Sequence, residues 1–117
     1  MKILIVDDHP INRTLPATWL ARRGHEVVER VDGLQALELI AQERFDAVLL
    51  DIGMPGMSGL DVCHRLRASE GSDRLRIVAY TAHAIPEMLD EMREAGFDEI
   101  LIKPITEDGL LRALRLT

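Results

Sequence analysis

The stretch DAVLLDIGMPGMSG, residues 46–59, places a short apolar run directly before Asp51 and a glycine-rich loop. A short apolar run bounded by turn residues is typical of a strand buried on both faces. The loop over 52–59 contains three glycines and one proline. Such a backbone can turn tightly and present N–H and C=O groups to an ion, although a plain turn would have the same composition.

Three other apolar runs end in the same way. Each is followed at once by a polar residue that can bind an ion or a phosphoryl group: KILIV (2–6) by Asp7 and Asp8, RIVAY (76–80) by Thr81, and EILI (99–102) by Lys103. Parallel strands end at one edge of a sheet, and ligands bind outside that edge. Three carboxylates, a hydroxyl and an ammonium gathered there would suit Mg²⁺-assisted phosphoryl transfer.

Strands and helices are predicted to alternate along the whole chain. The predicted strands cover 2–6, 26–31, 46–50, 76–80 and 98–102, and the predicted helices cover 10–23, 33–43, 58–69, 84–95 and 106–116. Alternating βα units indicate an α/β fold with a parallel sheet and right-handed crossovers. The second strand, EVVER, is more polar than the others and should lie at an edge of the sheet.

Two prolines and two glycines bear on where the helices begin and end. Pro16 falls inside the first predicted helix, where proline removes a hydrogen bond, so the helix either kinks there or begins late. Pro10 suits the first turn of that helix. Gly24 and Gly96 directly follow predicted helices and are expected at the position after the cap.

Composition restricts the function classes. The chain has 117 residues, which suits a single domain over 1–117, and an ordinary 47% of apolar residues. The net charge of −6 and the scarcity of aromatic residues argue against direct binding of nucleic acid. We expect no transmembrane helix and no signal peptide. The single cysteine, Cys63, fits a reducing compartment, so we expect a cytoplasmic protein.

The predicted cluster of Asp7, Asp8 and Asp51 has electrostatic consequences. Three carboxylates held together repel each other, so some of their pKa values should rise when no cation is bound. A hard divalent cation such as Mg²⁺ removes that penalty. An aspartate in such a site can then act as a nucleophile and form an aspartyl phosphate. His9 and His83 flank the predicted site, but neither has the acid or base partner of a catalytic triad.

The chain closely resembles the receiver domains of two-component response regulators. The segments that carry the resemblance span nearly the whole chain: ILIVDDHPINR, DGLQALELI, DAVLLDIGMPGMSGLDV, IVAYTAHA and AGFDEILIKPI. The stretches HPINR and TAHA are most similar to receivers attached to hybrid sensor kinases. The resemblance implies either a single-domain regulator or a receiver cut from a longer protein.

The resemblance also implies a metal site. In this family Asp8 corresponds to a direct Mg²⁺ ligand, and Asp7 to an acid that helps hold the ion, often through water. Asp51 corresponds to a further ligand, and Gly53 to the position whose backbone carbonyl binds the ion.

The phosphoryl chemistry is likewise implied by the resemblance. Asp51 corresponds to the phosphoacceptor, whereas Thr81 and Lys103 correspond to the hydroxyl and ammonium that contact the phosphoryl group. Pro104 corresponds to a cis proline. The chain departs from the family pattern at Ile100, where a tyrosine or phenylalanine is common and changes its burial on phosphorylation.

We therefore predict a flavodoxin-like (βα)5 fold with strand order 2-1-3-4-5 and helices on both faces, which sets strands 1 and 3 side by side. The predicted function is a phosphoacceptor switch, not an enzyme with a separate substrate, although it promotes its own Mg²⁺-dependent phosphotransfer and dephosphorylation. The implied partner is a sensor histidine kinase or a histidine phosphotransfer protein. Homodimerisation through the fourth helix, fifth strand and fifth helix is also implied.

Two alternatives remain open at this point. A Mg²⁺-dependent phosphatase with an aspartate nucleophile would need an acid two residues after Asp51, where Gly53 stands, and a substrate cap. A receiver used only for docking would not need the complete acidic set. Turnover of a small phosphorylated metabolite would favour the phosphatase, and absence of Mg²⁺ binding would favour the docking module.

Overall fold

Five parallel strands alternate with five helices in the computed structural model, which describes residues 1–69, 74–82 and 86–116. The strands are β1 (Lys2–Val6), β2 (Glu26–Arg30), β3 (Ala47–Asp51), β4 (Arg76–Thr81) and β5 (Glu99–Ile102). The helices are α1 (Pro10–Arg22), α2 (Gly33–Gln42), α3 (Gly59–Ala68), α4 (Pro86–Ala95) and α5 (Glu107–Ala113). The predicted start of the fourth helix, 84–85, and His83 lie outside the described residues.

The strand order is β2-β1-β3-β4-β5, and all neighbours pair in parallel. This confirms the predicted flavodoxin-like topology and the edge position of β2. β1 and β3 are adjacent, with Ile5 opposite Leu49. In the next pair, Asp51 lies opposite Tyr80. The ends of β1, β3 and β4 therefore meet at the same part of the sheet edge.

Two apolar layers cover the two faces of the sheet. Alternate residues of the central strands, such as Leu4 and Leu50, pack with α2, α3 and α4. The intervening residues, such as Ile5, Leu49 and Tyr80, pack with α1 and α5. Burial on both faces explains why β1 and β3 consist almost entirely of apolar residues.

The helix ends agree with most of the sequence predictions. Helix α1 begins at Pro10 and continues through the buried Pro16, so a late start is wrong. Gly24 and Gly96 adopt positive φ angles of 87° and 108° after their helices, as expected. Helix α5 ends at Ala113, earlier than predicted, and the chain turns to a positive φ at Arg115.

The helices are short, from 7 residues in α5 to 13 residues in α1. Within the described ranges, none is long and apolar enough to cross a membrane.

Candidate functional site

The carboxyl edge of the sheet brings together the three acids that the sequence singles out. Asp7 and Asp8 follow β1, and Asp51 is the last residue of the adjacent strand β3. One carboxylate oxygen of each residue lies within 4.8 Å of those of the other two. This separation is short enough for all three groups to bind one cation.

Asp7 is the most firmly held of the three acids. It is fully buried, and its Oδ1 accepts a 2.8 Å hydrogen bond from the backbone N–H of His9. Its Oδ2 accepts a hydrogen bond from the hydroxyl of Tyr80. Arg13 donates from Nη1 to the backbone carbonyl of Asp7 at 2.6 Å, which ties α1 to the end of β1. These contacts fix both the main chain and the side chain of Asp7.

Asp8 differs from Asp7 in having an oxygen without a partner. Its Oδ1 is buried and accepts no hydrogen bond from any residue that the structure describes. Its Oδ2 lies 3.7 Å from Nε2 of His9, whose side chain is exposed. A buried carboxylate oxygen left unpaired is costly. Since Mg²⁺ prefers oxygen ligands, this oxygen and the two neighbouring acids fit such an ion.

Asp51 lies at the end of β3 with 6% of its surface exposed. Its Oδ1 accepts a 3.2 Å hydrogen bond from the backbone N–H of Gly53. Burial is the main cause of the raised pKa of Asp51, and the charges of Asp7 and Asp8 add to it. The Gly53 hydrogen bond and the Lys103 ammonium act in the opposite direction. Without a cation, the ionised form of Asp51 is therefore disfavoured in the folded protein.

Lys103 brings a positive charge to the carboxylates of the site. Its Nζ lies 3.6 Å from Oδ2 of Asp7 and 3.7 Å from Oδ1 of Asp51. The same ammonium lies 4.5 Å from the centroid of the Tyr80 ring. The Lys103–Pro104 peptide bond is cis, as the resemblance implied.

Thr81 and Gly53 complete the set of predicted residues at this edge. Thr81 is buried and ends β4, one residue beyond the pairing of Asp51 with Tyr80. Gly53 is exposed on the loop after β3. His9 is also exposed beside Asp8, whereas His83 lies outside the described residues.

Gly59 allows the loop after β3 to close against the strand. A Cβ atom there would lie 2.4 Å from the backbone oxygen of Asp51 and 2.9 Å from Cα of Ile52. Ser58 caps the following helix by accepting from the Asp61 backbone N–H, and the Asp61 side chain bonds back to the Ser58 N–H. This capping box fixes where α3 begins relative to the site.

Tyr80 is the site residue that the sequence analysis missed. One aromatic residue inside an apolar strand suggests only core packing. The available signal is the parallel register, which sets Tyr80 opposite Asp51 and on the same sheet face as Ile5. Burial and the bond to Asp7 raise the pKa of the Tyr80 hydroxyl, so it remains a donor at neutral pH.

A family model for the response regulator receiver domain matches residues 3–115. The chain belongs to this family. The match favours the receiver over the aspartate-nucleophile phosphatase that the sequence left open.

Curated relatives of this receiver include sensor histidine kinases, which agrees with the likeness of HPINR and TAHA to the receivers of hybrid kinases. Sensor histidine kinase RcsC of Salmonella typhi is 40% identical over 114 residues, covering 97% of this chain and 12% of that protein. Sensor protein GacS of Pseudomonas syringae pv. syringae is 40% identical over 116 residues, covering 97% of this chain and 13% of that protein. The receiver chain thus spans only a small part of the length of these relatives.

Solved structures show the same fold. The chemotaxis protein CheY4 of Vibrio cholerae superposes with a TM-score of 0.91 at 31% identity, covering 97% of this chain and 95% of that one. The receiver domain of sensor histidine kinase PA1611 from Pseudomonas aeruginosa superposes with a TM-score of 0.89 at 33% identity, covering 97% of this chain and 93% of that one. The PA1611 receiver carries a magnesium ion coordinated in its active site cleft.

Proposed function

We propose that this receiver domain is a phosphoacceptor switch in which Asp51 accepts a phosphoryl group from a phosphohistidine. One observation carries the proposal: Asp51 shares a 4.8 Å cluster with two further carboxylates and lies 3.7 Å from the Lys103 ammonium. A nucleophilic carboxylate among groups that can hold a cation and a phosphoryl group is the arrangement that phosphoryl transfer needs.

We assign the metal site to four residues: the side chains of Asp7, Asp8 and Asp51, and the backbone carbonyl of Gly53. The buried, unpaired Oδ1 of Asp8 supports this assignment, because a cation would satisfy it. When bound, Mg²⁺ neutralises charge on the transferring group and aligns donor and acceptor. The Mg²⁺-containing PA1611 receiver lends support by analogy.

The chain's own residues then perform the transfer. A carboxylate oxygen of Asp51 attacks phosphorus, and the bond between phosphorus and the donor's imidazole nitrogen breaks. The electron pair of that bond stays on the imidazole. The Lys103 ammonium, already 3.7 Å from the Asp51 carboxylate, balances charge on a phosphoryl oxygen. The Thr81 hydroxyl donates a hydrogen bond to another phosphoryl oxygen.

The surface beside the site suits a docked phosphodonor protein. A cavity of about 400 Å³ lies between the start of α1 and the loop after β5, and Lys103 is among its lining residues. Ile11 and Leu15, one helical turn apart, line it and are 85% and 49% exposed. A protein docked here lies next to Lys103, whose ammonium is 3.7 Å from the Asp51 carboxylate. We therefore assign it to a sensor histidine kinase or a histidine phosphotransfer protein.

The surface that changes on phosphorylation is proposed to be formed by α4, β5 and α5. The same surface is proposed to mediate homodimerisation. Thr81 ends the strand next to β5, so a change at Thr81 reaches this face. Ile100, at the usual aromatic position, is half-buried and packs against the layer that contains α4. Its few rotamers imply a smaller change of surface than an aromatic ring would give.

The remaining assignments follow from this function. Residues 1–117 act as one domain that works in the cytoplasm, where the kinase's phosphohistidine is formed. The domain binds no nucleic acid itself and turns over no substrate besides its own phosphoryl group, whose hydrolysis it promotes.

Mass spectrometry tests the phosphoacceptor assignment. The parent protein, incubated with Mg²⁺ and acetyl phosphate, should gain one phosphoryl group, which chelator should prevent. Asp51→Asn should gain none, whereas Asp90→Asn, a change at an exposed acid of α4, should behave like the parent. An adduct that persists in Asp51→Asn would contradict the proposal.

A further inference from the structure

We propose that Tyr80 is a positioning residue of the metal and phosphoryl site: its hydroxyl orients the Asp7 carboxylate, and its ring seats the Lys103 ammonium. The inference rests on the proposed function, in which Asp7 helps hold the cation and Lys103 contacts the phosphoryl group. Tyr80 is buried and contacts both Asp7 and Lys103.

The first contact orients Asp7. The Tyr80 hydroxyl donates to Oδ2, and the His9 N–H donates to Oδ1 at 2.8 Å, so each carboxylate oxygen has one fixed donor. Each oxygen retains a second lone pair for a cation or its water. The carboxylate plane is therefore set before a cation arrives. Asp8, by contrast, offers an oxygen with no protein donor among the described residues.

The second contact seats Lys103. Its Nζ lies 4.5 Å from the Tyr80 ring centroid, within the range of a cation–π interaction. The ring thus supports the ammonium from one side, while Asp7 and Asp51 attract it at 3.6 and 3.7 Å. A lysine side chain has several rotatable bonds, and a fixed position reduces the entropy lost when a phosphoryl group binds.

A purely structural role for Tyr80 predicts different behaviour. Tyr80 is 1% exposed, and a buried tyrosine hydroxyl usually finds some acceptor. If packing alone mattered, removal of the hydroxyl would lower stability without changing cation affinity. If the hydroxyl orients Asp7, its removal should weaken cation binding, because lost outer contacts to metal ligands typically cost affinity.

Two substitutions separate the hydroxyl from the ring, and a third controls for stability. Tyr80→Phe keeps the ring and removes only the donor, whereas Tyr80→Leu removes both. Val78→Ala opens the same apolar layer two residues earlier on β4 and leaves both the Tyr80 hydroxyl and the Tyr80 ring in place. Calorimetric Mg²⁺ affinity, thermal midpoint and phosphorylation rate at saturating Mg²⁺ should be measured for each protein.

We expect Tyr80→Phe to bind Mg²⁺ roughly tenfold more weakly than the parent, the lower end of such effects. At saturating Mg²⁺ its phosphorylation rate should fall less than that of Tyr80→Leu, because the ring still seats Lys103. Tyr80→Leu should lose both affinity and rate. Val78→Ala should melt at a lower temperature with the parent's affinity. In the metal-free protein, the carboxyl ¹³C resonance of Asp7 should move in Tyr80→Phe more than that of Asp8.

The outcomes distinguish this inference from the proposed function. If the parent binds no Mg²⁺, the proposed function fails, and the role of Tyr80 fails with it. If the parent binds Mg²⁺ and Tyr80→Phe binds it equally well, only the role of the hydroxyl is overturned. An affinity loss in Val78→Ala as large as that in Tyr80→Phe would overturn it too, since the effect would then be one of stability.

Discussion

The backbone N–H of Lys103 donates a 2.8 Å hydrogen bond to the backbone carbonyl of Thr81. This bond continues the pairing of β4 with β5 one residue beyond Ile102, the register partner of Thr81. The two residues proposed to contact the phosphoryl group are therefore linked through their main chains. Changes in the Thr81 side chain should leave the Lys103 backbone in place.

That link leads to a prediction for Thr81→Ala. The variant should still gain a phosphoryl group on Asp51, because Lys103 and the acids are retained. The hydroxyl proposed to pass the change to α4 and β5 is lost, so the amide shifts over 86–102 on adding beryllofluoride, a phosphoryl mimic, should become smaller. Thr81→Ser, which keeps a hydroxyl, should resemble the parent. Parental shifts in Thr81→Ala would show that the signal leaves the site by another route.

Asp51→Asn should be more stable than the parent at neutral pH in the presence of chelator. The folded-state pKa of Asp51 is raised above the ordinary value of about 3.9 in the unfolded chain. The protonated form of Asp51 therefore favours the folded state. Its contribution to the free energy of unfolding is fully present below about pH 3.9 and is lost as the pH rises through the raised pKa of the folded protein. Asparagine carries no charge, so the variant does not lose this stability. The thermal midpoints of parent and variant should diverge as the pH rises from about 3.9 through the raised pKa, and added Mg²⁺ should reduce the difference between them.

Asp7→Asn provides the contrast. Asp7 accepts from both His9 and Tyr80, so an amide would turn its NH₂ toward one of these donors and lose a buried hydrogen bond. We expect this variant to melt below Asp51→Asn in chelator. Equal rises in the melting temperature of both variants would mean that charge repulsion alone governs stability at this edge.

Gly59→Ala should destabilise the fold and disturb the site. The added Cβ would lie 2.4 Å from the Asp51 carbonyl oxygen, and overpacking of this kind costs about 1–3 kcal/mol. Gly53→Ala is the matched control, because no atom beyond its own residue and its two chain neighbours lies within 4 Å of the added Cβ. Urea unfolding and Mg²⁺ affinity should change in the first variant and stay near parental in the second. Similar losses in both would point to loop entropy as the cause.

Arg67→Ala should be more costly than a surface arginine change. Arg67 donates to the carbonyls of Leu75 and Gly96, each at 2.8 Å, and to Asp98 at 2.6 Å. Charge-assisted bonds of this kind are worth about 1.5–3 kcal/mol. Arg23, whose exposed ion pair with Glu107 is worth about 0–1 kcal/mol, is the control. Chemical unfolding should show a larger loss of stability for Arg67→Ala than for Arg23→Ala. An unchanged stability in Arg67→Ala would show that these three hydrogen bonds do not stabilise the fold.

The sheet and the position of the acids could be predicted because both depend on local pattern. Apolar runs such as KILIV and DAVLL mark buried strands, and parallel topology places their carboxyl ends together. The proximity of Asp7, Asp8 and Asp51 can therefore be predicted without knowing any side-chain conformation.

The different contacts made by the three acids could not be predicted from the sequence. The bonds that distinguish Asp7 from Asp8 depend on rotamers and on the register that sets Tyr80 opposite Asp51. Arg67 was missed for a similar reason, because its partners lie 8 to 31 positions away in sequence and become neighbours only in the folded chain.

The exposed apolar side chains of Ile11 and Leu15 carry an evolutionary consequence. Both lie outside the two buried layers, and substitutions at such surface positions usually cost the fold little. The proposed function, by contrast, requires all three acids. If the phosphodonor docks on this region, as proposed, two receivers with identical acids can differ in partner through these α1 positions, and partner choice can then change without loss of the capacity to be phosphorylated.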